Sequence, residues 1–114
     1  MDIKVVTDHI SHEQIKQAAD ASYGDMVKAV VDIERGVMAL SDEMHADAEA
    51  TLLQGGSQQS NLWGINLYPG QPVDKWIEFD SMINIRPRQG NRSRDVEDVI
   101  IRDRIRSVVQ KLTS

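Results

Sequence analysis

No cysteine occurs anywhere in the sequence, which excludes disulfides, thiolate metal sites and cysteine nucleophiles. A chain free of thiol chemistry suits a reducing compartment, and a cytoplasmic location is expected. Aromatic residues are scarce, five in 114, so Val, Ile, Leu, Ala and Met must fill most of the core. No apolar run approaches the length of a bilayer span. The opening residues, MDIKVVTDHISHEQ, lack the basic-then-apolar pattern of a signal peptide. Membrane association is therefore not expected.

What the chain does have is an uneven distribution of charge. The net charge is −5. Residues 1–85 hold fourteen Asp and Glu against five Lys and Arg, whereas residues 86–114 hold eight Lys and Arg against four Asp and Glu. Seven of the eight arginines lie between Arg86 and Arg106. Two explanations fit this split. The basic end presents a face to an anionic partner, or it folds against the acidic body and is neutralised within the chain.

The length fits one domain, residues 1–114. IKVV, residues 3–6, is a short predicted strand. A helix follows from Ser11, whose capping box is completed by Gln14, with Ile10 and Ile15 at the staple positions and Gly24 as the stop. Val27, Ala29, Val31 and Ile33 alternate with polar residues and open a hairpin that turns at Glu34–Gly36 and returns along Val37–Leu40. A second helix is predicted from a Ser41 or Asp42 cap to Gly55–Gly56, its apolar face formed by Met44, Ala48, Thr51 and Leu52. Residues 61–68 form the next strand, and PGQPVDK breaks it. Alternation of Ile77, Phe79, Ile83 and Ile85 predicts the longest strand, residues 76–86, and a final helix is expected from about Asp95 to Leu112.

The order β-α-β-β-α-β-β-α points to an α+β fold. The expectation is a two-layer sandwich with a mostly antiparallel sheet, a ferredoxin-like unit extended by a strand and a C-terminal helix. Val27, Val31, Ile33, Leu52, Ile65, Ile77, Phe79 and Ile83 are the expected core. In the last helix, Val96, Val99 and Ile100 fall on one side, while Ile101, Ile105, Val108, Val109 and Leu112 fall on nearly the opposite side. A homodimer burying the second of these faces is the expected use of the extra stripe.

Two segments carry candidate chemistry. INIRPRQGNRSRD places Arg86, Arg88, Arg92 and Arg94 in nine positions just before the last helix. Helix starts offer free N–H groups, arginine grips phosphate through paired hydrogen bonds, and Gly90 permits close backbone approach. With Asn91 and Ser93 as neutral donors, these residues are the expected anion site, of phosphate type. The competing account pairs the arginines with Glu78, Asp80 or Asp32. A small phosphorylated ligand or a short RNA fits better than duplex DNA, because the rest of the chain is acidic and would repel a long polyanion.

The second segment is HADAE. His45 and Glu49 are four apart and share a helix face, spacing suited to a carboxylate-oriented general base or to part of a metal pair, with Glu78 or Asp80 as further acids. It is not an H-E-x-x-H motif. Neither a metal nor a cofactor is predicted.

The strings VKAVVDIERGVMAL, HADAE, GSQQSNLWGINLYP and IEFDSMINIRPRQGNRS resemble a family of small prokaryotic proteins known as a domain of unknown function. The resemblance spans about residues 24–106. One departure is Ser41–Asp42, where the family is associated with a glycine pair before the His segment. The resemblance implies no activity, substrate or cofactor. Two functions therefore stand side by side: a binding module with an anion site at the arginine loop, and a small enzyme using His45 and Glu49. They part on whether His45 faces a cleft shared with the strand carboxylates or the arginines.

Overall fold

A computed structural model describes residues 3–114. Its main elements are β1 (Ile3–Val6), α1 (His12–Ala21), β2 (Val27–Asp32), β3 (Val37–Ser41), α2 (His45–Gln54), β4 (Leu62–Leu67), β5 (Ile77–Glu78) and α3 (Val99–Thr113). The five strands form one sheet in the order β1-β3-β2-β4-β5, with every neighbouring pair antiparallel. The α+β class and the antiparallel sheet are therefore those expected from the sequence.

The layering differs from the expected two-layer sandwich. β1 and β2 run parallel with β3 between them, and β3 and β4 run parallel with β2 between them. The chain thus makes two crossovers that step the same way along the sheet but start from strands of opposite direction. Right-handed connections place such crossovers on opposite faces. In a ferredoxin-like arrangement the second crossover steps back instead, so that β4 lies beside β1 and both helices share a face.

Packing agrees with this division. One core gathers Ile15 and Ala19 of α1, Ile105, Val108, Val109 and Leu112 of α3, and the sheet residues Val27, Ala29, Val31, Met38, Leu40, Trp63, Ile65 and Leu67. The other gathers Ala48 and Leu52 of α2 with Val30, Val37, Ala39 and Leu62. The central strands are buried on both sides, which is why Val30 and Val31 are both fully buried. Of the eight expected core residues, Val27, Val31, Ile33, Leu52 and Ile65 are buried, while Ile77, Phe79 and Ile83 are half-buried at the edge.

α1 begins as its capping box dictates. Gln14 N–H donates to Ser11 Oγ at 3.1 Å, and Ser11 N–H donates to Gln14 Oε1 at 2.9 Å. Ile10 and Ile15 are both fully buried beneath this start. α2 begins later than its polar N-terminal residues suggest, because Ser41 is the last residue of β3, paired with both Ile3 and Lys28. Its cap is Met44, which makes no side-chain capping bond.

The predicted long strand at 76–86 is reduced to Ile77–Glu78. Beyond it the chain turns through short 3-10 segments at Met82–Asn84 and Pro87–Gln89. The edge of β4 that a longer strand would pair is satisfied by side chains instead. Asn84 accepts from Gly64 N–H at 2.8 Å and donates to Gly64 C=O at 2.9 Å, and Arg86 donates to Leu62 C=O. A Cβ on residue 64 would lie 2.5 Å from Ser81 Cβ, so the segment approaches this closely only because Gly64 has no side chain.

α3 starts at Val99, capped by Asp98, whose Oδ1 accepts from Ile100 N–H at 2.8 Å. The expected start near Asp95 is displaced because Val96, fully buried, anchors the loop to the core before the helix begins. The Ile101–Leu112 face, expected to meet a second copy, packs against the chain's own sheet. What α3 leaves outside is the other stripe, Val99 and Ile100, at 64% and 71% exposure.

Candidate functional site

The arginine loop is fixed by two buried asparagines. Asn84 holds the edge of β4 and also donates to Arg94 C=O at 3.0 Å. Asn91 donates to Asn84 C=O and Asp95 C=O, both at 2.7 Å, and its Oδ1 accepts from Glu97 N–H at 2.8 Å. Arg86 and Asn91 pair through both backbone groups, at 2.7 and 3.1 Å. Gly90 closes the turn between them at φ +80°, a left-handed conformation that favours glycine. Asn91 is therefore committed to the backbone of the loop.

The four arginines separate into different environments. Arg86 turns inward, donating from Nε to Ile83 C=O at 3.0 Å, lying 4.7 Å over the Trp63 ring and standing 3.7 Å from Glu49. Burial pushes its guanidinium below its usual value, and Glu49 opposes that shift. Arg94 pairs with Asp80 at 2.7 Å on the surface. Arg88 and Arg92 are exposed, and neither side chain makes a hydrogen bond or ion pair among the described residues, although Arg92 adds its charge to the surroundings of Glu97.

The donors of the loop converge on one internal carboxylate. Arg92 N–H at 2.9 Å, Ser93 N–H at 2.8 Å and the Ser93 hydroxyl at 2.7 Å all donate to Glu97 Oε2. The Ser93 hydroxyl and the Arg92 N–H hold the Glu97 carboxyl below its ordinary value, and the group is fully exposed. The start of α3 lies further on, at Val99, so the local backbone and Ser93, not the helix end, supply these donors. Glu97 was not foreseen from the sequence. Its signal is the spacing S-x-x-x-E in front of the helix, which reads equally well as a polar turn facing water.

HADAE is placed differently. His45 and Glu49 both face the sheet from α2, but they do not act on each other. His45 is 7% exposed, and its Nε2 lies 2.7 Å from Ile65 C=O. A carbonyl only accepts, so Nε2 carries the hydrogen. Burial pushes the imidazole below its usual value. The Ile65 carbonyl, Asp80 and Asn66 favour the charged ring against this, and Lys28 does not. Glu49 instead faces Arg86. Glu78 accepts from Asn66 Nδ2 at 2.8 Å and from the Tyr68 hydroxyl at 3.2 Å, and burial, with Glu78 beside it, raises the Tyr68 phenol above its usual value. Asp80 is thus near both His45 and Arg94, whereas Glu49 stands apart with Arg86. Among the described residues no group of three or more His, Asp or Glu is arranged to hold a metal ion, and no helix is long and apolar enough to cross a membrane.

Residues 4–112 match the model of a family described as Protein of unknown function (DUF5674), and the chain belongs to that family. No curated protein and no solved structure matches it.

Proposed function

We propose that this member of the family of unknown function is a small binding module whose working surface is the arginine loop, taking a phosphate-type anion. The supporting observation is the convergence of the Arg92 N–H, the Ser93 N–H and the Ser93 hydroxyl on a single carboxylate oxygen. Backbone N–H groups gathered in this way form a concave anion receptor. Its present occupant, Glu97, is exposed to solvent and so open to exchange with a ligand anion. Arg88 and Arg92 stand exposed on the same loop, free to meet the remaining charge of a phosphoryl group. The buried asparagines keep the loop folded before any ligand arrives, which lowers the ordering cost of binding. The absence of cysteine accords with a reducing, cytoplasmic setting for such a module. Catalysis through His45 draws no comparable support, since the ring is buried and tied to a backbone carbonyl.

The test is an NMR titration at low salt with inorganic phosphate and then a short 5′-phosphorylated RNA. Amide shifts are expected to localise to residues 90–96 and to saturate. Arg88→Ala combined with Arg92→Ala should weaken binding about tenfold, in line with the loss of a charged hydrogen bond of about 1.5 kcal/mol. Glu97→Gln should strengthen it, because the resident charge is removed. Absence of localised shifts in both the native chain and Glu97→Gln would overturn the proposal.

A further inference from the structure

A separate cleft of about 760 Å³ opens between residues 69–77 and the C-terminal half of α3. None of its lining residues belongs to the arginine loop. From its walls we infer that it is a binding site for a small, uncharged molecule carrying a flat aromatic ring.

The volume lies within the roughly 300–1,000 Å³ typical of small-ligand sites. Pro69, Pro72, Ile77 and Val109 supply apolar walls, two of them prolines with fixed backbone. The His12 and Trp76 rings, both lining the cleft, stack at 5.1 Å with an 18° interplanar angle. His12 is held in place because its Nε2 lies 2.7 Å from Pro69 C=O, which obliges Nε2 to carry the hydrogen. Its Nδ1 has no partner among the described residues and is left as an acceptor in the neutral ring. A wall of fixed rings loses little freedom on binding, and stacking an aromatic ligand there buries a large apolar area.

Charge indicates what the ligand is not. The charged groups of the cleft are Asp74 and Arg106, one of each sign, and Arg106 is already paired with Asp103 at 3.0 Å. An anionic ligand would meet no unpaired cation, and a cationic one would meet only the exposed, solvent-screened carboxylate of Asp74. The remaining polar groups include the amides of Gln71 and Gln110, each able to donate and to accept, which suits the edge of a heteroaromatic ring.

Indole is the probe, with indole-3-acetate and tryptamine as its anionic and cationic counterparts. Each tryptophan gives its own side-chain N–H signal in a ¹H–¹⁵N NMR spectrum. Trp76 lines the cleft, while Trp63, at 1% exposure, lies in the core and serves as the internal control. Indole should produce saturable shifts of the Trp76 signal and of the Gln71 and Gln110 side-chain amides, with Trp63 unmoved. Both charged derivatives should bind at least threefold more weakly. Gln110→Trp, an exposed position on the cleft wall, should fill the cleft and weaken indole binding at least tenfold, with thermal unfolding unchanged as the check on folding. No saturable shift at Trp76 up to millimolar indole, equal binding by a folded Gln110→Trp chain, or tighter binding of either charged derivative would overturn the assignment.

Discussion

His45 shows how one buried side chain couples the fold to pH. Burial lowers its proton affinity in the folded chain below the ordinary value of 6.5. The unfolded chain therefore binds a proton first as the pH falls. Its contribution to stability is fully present above about pH 6.5 and is lost as the pH drops toward the lower folded value. The expected outcome is a fall in unfolding free energy between pH 7.5 and 5.5, with a slope of at most about 1.4 kcal/mol per pH unit for one proton. Urea unfolding across this window checks it. His45→Gln keeps a donor for Ile65 C=O but does not titrate, so its profile should be flatter; identical slopes would refute the assignment. The sequence placed His45 on a helix face with Glu49 and suggested chemistry. It gave no sign that Ile65 C=O would be its partner, because backbone carbonyls leave no mark in side-chain spacing.

At the scale of elements, α3 carries the clearest expectation. Ile105 is fully buried in the core shared with α1, while Ile100, on the other stripe of the same helix, is 71% exposed. Ile105→Asp should cost at least about 3 kcal/mol, the lost burial of a large side chain plus an unpaired buried carboxylate. Ile100→Asp should stay within about 0.5 kcal/mol of the native chain. Denaturant midpoints of the two variants measure the difference, and similar losses would show that the burial of α3 has been misassigned. Periodicity made both stripes visible but did not tell which one meets the sheet. α1 was legible in detail because Ser11, Gln14, Ile10 and Ile15 carry a local signature. The segment after β5 was not, since Ile77, Phe79, Ile83 and Ile85 alternate as a strand does. The bonds that stop the strand run from the Asn84 and Arg86 side chains to a distant backbone.

Across the whole molecule, those bonds join the candidate site to the sheet. Asn84 closes the edge of β4 and supports the arginine loop through Arg94 C=O. Asn84→Ala would leave the buried N–H and C=O of Gly64 without partners. A loss of about 2–4 kcal/mol is expected, with each orphaned group costing about 1–3 kcal/mol. Urea unfolding gives the loss, and hydrogen exchange at the Gly64 amide should accelerate selectively. Unchanged exchange there would mean that the edge is closed by something other than Asn84. The class of the fold was readable from the order of its elements. Its layering was not, because a single change in where β4 joins the sheet moves α2 to the opposite face without altering that order.

The interleaved crossovers also bear on how the chain reaches its native state. Residues 3–41 already contain β1, α1, β2 and β3, enough for a three-stranded sheet with one crossover helix. The outer edge of β2 nevertheless stays open until residues 62–67 arrive to pair with it. Because α2 lies between β3 and β4, the second face is covered only as that same long loop closes. Closure entropy must be met before the β2–β4 ladder rewards it, so assembly is weighted toward non-local contacts and toward slow folding for a chain of this size. During ribosomal synthesis the strand destined for the centre of the sheet is, for a time, its exposed margin, and the interval lasts until β4 has left the exit tunnel.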